Sequence, residues 1–103
     1  MATLSNSVKI DGPFALPESV TIYQIGDLHK NLLRLPILQQ QILDFSDTKE
    51  VDSTGIQLLI AFDVHCKRSG CVLAFENVSN EINQLFTLFH YQFHIIPITS
   101  KAE

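Results

Sequence analysis

An α/β fold, with a mixed, mostly parallel sheet of four to five strands and three helices, is predicted by three features of this chain. Short apolar runs alternate with longer stretches in which apolar residues recur every three or four positions. Proline and glycine punctuate the joints between these runs. The order that emerges, β-β-α-β-α-β-α-β, is that of strands joined by helical crossovers.

The elements follow one another without an internal repeat, linker or low-complexity tract. Val8-Lys9-Ile10 alternates ahead of Asp11-Gly12-Pro13, which predicts a short strand at 7–10 followed by a turn. Phe14-Ala15-Leu16 is a second short strand, stopped by Pro17. From Tyr23 to Leu35, the apolar residues Ile25, Leu28, Leu32 and Leu35 mark one face of a helix that Pro36 closes, with Thr21 placed to cap it. Residues 41–46 read as a central strand, apolar on both faces because its apolar residues do not strictly alternate. A second helix opens at Ser53 or Thr54 and runs to Arg68, with Gly70 placed to end it. Cys71 to Phe75 is a strand, Ser79 caps a third helix at 80–90, and Ile95-Ile96-Pro97-Ile98 is a short edge strand. The expected domain is the whole chain, 1–103, with its core at about 7–98 and a polar tail at 99–103.

Composition narrows the function. The chain has 103 residues, 46% apolar and 17% charged, which is the balance of a globular protein and not of a disordered tail. Its formal net charge is −4, and Lys30, Arg34, Lys67 and Arg68 form no stripe, so nucleic acid is not an expected partner. The N-terminal segment has neither the basic nor the apolar region of a signal peptide, and the longest apolar run, 56–62, is too short for a membrane span. A cytoplasmic location is therefore expected, with Cys66 and Cys71 as buried free thiols. Two thiols five positions apart match no zinc spacing, and His90 and His94 flank what reads as a helix end, so neither metal nor cofactor is expected.

The residues that could carry chemistry are Asp52-Ser53-Thr54-Gly55. They place two hydroxyls at a helix N-terminus, where free amides and the positive end of the dipole favour phosphate. The same residues are also preferred N-caps, and from these four alone a plain cap is the leading reading. No nucleophile elbow, phosphate-binding glycine loop or Ser-x-x-Lys pattern accompanies them, which argues against an enzyme. Asp44, Asp47, Glu50 and Asp52 read as a solvated acidic rim.

The stretch Ile42-Leu43-Asp44-Phe45-Ser46, then Val51-Asp52-Ser53-Thr54-Gly55-Ile56, then a helix and Gly70-Cys71-Val72-Leu73, resembles the STAS (sulphate transporter and anti-sigma-factor antagonist) family. The likeness continues through Asn77-Val78-Ser79 to Phe89 and covers roughly residues 14–98. Glu18 to Tyr23 is most similar to single-domain bacterial members associated with chemotaxis. The resemblance implies a STAS-type fold and a non-enzymatic module of signal transduction. In anti-sigma-factor antagonists the Ser after the Asp, here Ser53, is reversibly phosphorylated, and the unmodified form binds the partner. The implied partner is an anti-sigma or histidine-kinase-like ATPase, or a chemotaxis protein. The implied binding surface combines residues 18–23, among them Glu18, Ser19, Thr21 and Tyr23, with the start of the second helix, among them Asp52, Ser53, Thr54, Gly55 and Gln57. The alternative within the family is a constitutive small subunit of an ABC-type lipid-transport ATPase. The aromatic residues Phe89, Tyr91 and Phe93 form a second expected contact surface.

Overall fold

The computed structural model of the chain describes residues 12–36 and 38–98. The expected strand at 7–10 and the tail at 99–103 lie outside them. Within them the order is β1 (Phe14–Ala15), β2 (Ser19–Val20), α1 (Ile25–Leu33), β3 (Gln40–Asp44), β4 (Glu50–Val51), α2 (Ser53–Arg68), β5 (Val72–Glu76) and α3 (Asn80–Leu88). β1, β3 and β5 form a parallel sheet with β3 in the centre, and β2 and β4 form a separate parallel ladder. Every strand pairing among the described residues is parallel. The expected last strand is reduced to one parallel bridge, Phe75 to Ile95, beyond which Pro97 has no amide to extend it.

Local chemistry accounts for the helix ends. The Asp52 side chain caps α2 by accepting from the amide of Gly55, and Ser69 ends that helix with Gly70 beyond it at φ 79°. Ser79 Oγ accepts from the Ile82 amide and caps α3 as its sequence predicts. After α3 the chain leaves the helix through His90 at φ 54°, so His90 and His94 share no helix face. Thr21 does not cap α1. The residue at that position is Gln24, in helical conformation, and Gln24 Oε1 accepts from both the amide and the hydroxyl of Thr21. A turn over 21–24 therefore feeds the helix, and Thr21 is the buried foot of that turn.

The core lies between the sheet and the helices. Leu28 and Leu32 of α1, Ile56, Leu59 and Phe62 of α2, and Ile82 and Phe86 of α3 join Leu43, Phe45, Leu73 and Phe75 in one cluster. β3 is central, but it is not buried on both faces. Gln41, Leu43 and Phe45 are buried while Gln40 is exposed and Ile42 and Asp44 are half-buried, because the cluster gathers the helices on one face. Phe93 is a second correction. It is 8% exposed and lies 4.7 Å from Phe75 and 4.8 Å from Phe86 between ring centroids, so it belongs to the core and not to an outer aromatic patch. Phe89 and Tyr91 pack against the same cluster, and the Tyr91 hydroxyl donates to buried Asp63, which also pairs with Lys67.

Cys66 and Cys71 are both free and buried. Burial, then the neighbouring Cys71 thiol, pushes the Cys66 thiol up to about 12, which keeps it protonated and unreactive at neutral pH.

Candidate functional site

The site is assembled from two segments thirty residues apart. β2 and β4 lie side by side with Ser19 opposite Glu50 and Val20 opposite Val51. The chain leaving β2 enters the 21–24 turn and the chain leaving β4 enters α2, so both exits open on the same edge. The loop before β4 is fastened to the same edge: the Lys49 and Glu50 amides donate to Glu18 O, and Thr48 Oγ1 donates to Pro17 O at 2.8 Å.

Asp52 joins the two exits. Its Oδ1 accepts from the Gly55 amide at 2.8 Å, and its Oδ2 accepts from the Ile22 amide at 3.0 Å. One carboxylate thus caps α2 and holds the turn that presents Ile22 and Tyr23. Ile22 is 58% exposed and Tyr23 is 90% exposed. Ser53, the first residue of α2, is exposed beside them, as is Gln57 one turn on, while Thr54 is half-buried.

The nine residues expected at the surface therefore divide. Ser53, Gln57, Glu18 and Tyr23 are exposed, and Asp52, Thr54 and Ser19 are half-buried, Ser19 Oγ donating to Glu50 Oε1 at 3.2 Å. Thr21 and Gly55 are buried and present no surface. Gly55 is where α2 crosses β2. A Cβ at that position would stand 2.0 Å from Val20 O, closer than real Cβ contacts come. The glycine is there to admit the Val20 backbone. Ile22 is also exposed; it lies inside the expected 18–23 stretch but is not named there by itself. Its one signal is an apolar side chain inside a polar turn.

The acidic rim divides as well. Asp44 accepts from Asn77 Nδ2 at 2.9 Å and from the amide and hydroxyl of Ser46, while Asp47 and Glu50 are exposed. The Asn77 hydrogen bond is the main cause that holds the Asp44 carboxyl below its ordinary value. For Asp52 the Gly55 amide, followed by the Ile22 amide, has the same effect. A depressed folded value means that the charged form is the stabilising one. The Asp52 contribution is full above the ordinary carboxylate value of 3.8 and is lost as pH falls through the depressed one. Asp52→Asn, which cannot present two anionic oxygens, is expected to lower the melting temperature at pH 7. It is also expected to lose less further stability than wild type in a melting series run downwards from pH 5. Equal acid sensitivity in the two proteins would mean that Asp52 is not the joint.

Chemically the edge offers a hydroxyl, an exposed aromatic and an aliphatic side chain among carboxylates. No group of three or more His, Cys, Asp or Glu side chains placed to hold a metal ion occurs among the described residues. None of the described helices is long and apolar enough to cross a membrane.

Comparison with known proteins agrees with this architecture. A family model described as "Mlab, STAS domain" matches residues 13–92. The solved structure of the anti-sigma factor antagonist SpoIIAA in its unphosphorylated form superposes with a TM-score of 0.64 at 13% identity, over 84% of this chain and 79% of that one. At that identity the likeness is one of fold. No curated protein sequence matches the chain.

Proposed function

We propose that this chain, which belongs to the STAS domain family, is a non-enzymatic protein-binding module whose partner is released by charge placed on Ser53. The observation that carries the reading is the position of Ser53, exposed at the first turn of α2 and beside the Ile22–Tyr23 turn that Asp52 holds against it. The proposed partner is an anti-sigma or other histidine-kinase-like ATPase, or a chemotaxis protein, in a bacterial cytoplasmic partner-switching pathway. The partner covers Ser53, Gln57, Glu18, Ile22 and Tyr23.

A phosphate on Ser53 brings about −1.5 to −2 charges at neutral pH. The Gly55 amide, one of those at the helix start, already serves the Asp52 carboxylate. The new charge therefore stands next to an existing one and faces outward. A partner surface fitted to a small hydroxyl meets bulk and repulsion together, and like charges in contact cost several kcal/mol. Ser53→Asp is expected to weaken partner binding about a hundredfold, while Ser53→Ala retains it. Calorimetric titration of both variants against the partner captured from the native cell measures this. Charge reversal at Glu18 or added bulk at Gln57 should weaken binding with an unchanged melting temperature. Equal affinities for wild type, Ser53→Ala and Ser53→Asp would remove the switch.

A second reading has a specific observation behind it. The matching family model carries the name Mlab and not that of an antagonist. Under this reading the same edge is a permanent interface, the chain is the small subunit of an ABC-type lipid-transport ATPase, and Ser53 stays unmodified. Capture of a transporter ATPase, bound equally by the phosphate-free and Ser53→Ala chains and recovered with no phosphorylated fraction, would establish it.

A further inference from the structure

Beside the candidate site, between β1 and α1, runs a groove of about 360 Å3. Its wall includes Phe14, Pro17 and buried Leu28, and Tyr23 and Asp27 stand on its rim. Asp27 is the charged residue that lines it. Lys30 lies further along α1 and Arg34 at its C-cap, and neither lines the groove. The salt bridge found among the described residues is Lys67 to Asp63, which leaves Asp27 without an ion-pair partner among them. Asn31 adds an amide side chain to the same wall; Gln24 lines it too, but its Oε1 already accepts from Thr21.

An apolar wall, an exposed aromatic face and a carboxylate with no ion-pair partner among the described residues together complement one kind of side chain. A guanidinium can lay its methylene stem on apolar surface, stack on a tyrosine ring and donate to a carboxylate and to an amide oxygen at once. A lysine ammonium carries the charge but lacks the planar face and the fork of donors. The net charge of −4 favours a cationic visitor in general, and Asp27 says where its charge goes.

We propose that this groove receives an arginine side chain of the protein partner, held between the Tyr23 ring and the Asp27 carboxylate. The proposal rests on the reading that a partner docks at the edge formed by Ile22, Tyr23 and Ser53. It adds a recognition residue, Asp27, that the Asp-Ser-Thr-Gly segment does not contain.

Two measurements test it. In the first, the isotope-labelled full chain is titrated with N-acetyl-arginine amide, with the citrulline and lysine analogues as controls. Amide shifts should be confined to residues around Tyr23, Asp27 and Leu28, should be absent with citrulline and weaker with lysine. They should require roughly two- to fivefold more ligand in Asp27→Asn and in Tyr23→Ala, the scale of one exposed cation–π or ion-pair contact. Shifts elsewhere in the spectrum report whether each variant remains folded. Absence of local shifts, equal response to citrulline, or an unaltered titration in Asp27→Asn overturns the proposal.

In the second, the captured partner is titrated against Asp27→Asn and Ser53→Asp separately. Loss of affinity in both supports both readings. Loss in Ser53→Asp alone overturns the arginine subsite and leaves the switch standing. Loss in Asp27→Asn alone supports the subsite and removes the switch. Sedimentation showing self-association that Asp27→Asn abolishes would assign the groove to a second copy of this chain, and so overturn the partner assignment.

Discussion

Gly55→Ala is expected to destabilise the protein by about 3 kcal/mol, although alanine is the better helix former. Two effects oppose each other. Removing a glycine from a helix contributes roughly 1 kcal/mol in favour of the variant. Against it, the added methyl would stand 2.0 Å from Val20 O, 2.9 Å from Val20 C and 3.0 Å from Val20 Cγ1. Two of those three atoms are backbone, and Val20 is fully buried and paired with Val51 in the ladder. It has nowhere to retreat, so α2 must lift off β2. Lifting also strains the Asp52 bond to the Ile22 amide and the Asp52 amide bond to Val20 O. Overpacking of a contact typically costs about 1–3 kcal/mol and occasionally more; against fixed backbone at 2.0 Å the cost exceeds that range, about 4 kcal/mol, which leaves about 3 after the helix gain. For a domain of this size the melting temperature should drop by roughly 10–20 °C, read by circular dichroism. A melting temperature at or above wild type would show that the close approach of α2 to β2 is absent.

Phe93→Ala is expected to destabilise by a similar amount, about 3 kcal/mol. The ring is 8% exposed and makes aromatic contacts with Phe75, Phe86 and Tyr91 at centroid distances of 4.7, 4.8 and 4.9 Å. Its removal opens a cavity bordered by two rings that also pack on Phe45. The neighbouring segment is held independently by the Tyr91 hydroxyl on Asp63, so the cavity does not collapse freely. Denaturant unfolding should show a lower midpoint with an unchanged slope. An outward-facing contact residue at this position would instead change stability by less than about 0.5 kcal/mol. That contrast distinguishes a core residue from a docking residue without any partner in hand.

Both variants mark the boundary between what is local in this chain and what is not. The strongest sequence signals are short-range. The Ser79 cap, the Asp52 start of α2, Gly70 just beyond its end and the three-and-four spacing of α1 each depend on residues within one or two helical turns. These readings hold in the fold to within a few residues. Thr21 is the local reading that fails, because its hydroxyl has a second suitor in Gln24 and the turn forms instead of a cap. The last strand is overestimated for a related reason: apolar, β-favouring residues are present at 95–98, but a strand needs a partner, and among the described residues pairing there is limited to the Phe75–Ile95 bridge.

By itself, then, the sequence determined the alternation of strands and helices, the caps, the family resemblance and the exposed serine at the start of α2. Those follow from backbone propensities and from periodicities that repeat within a few residues. Tertiary structure alone decided that the second oxygen of Asp52 reaches Ile22, that Gly55 must lack a side chain because Val20 passes beneath it, and that Phe93 turns inward. It also decided that Tyr23 and Asp27 border one groove. Apart from that last pairing, each of these is a contact between positions well separated along the chain. Its existence depends on how the β2–β4 ladder and the central sheet bring distant backbones together, and no local pattern carries that information.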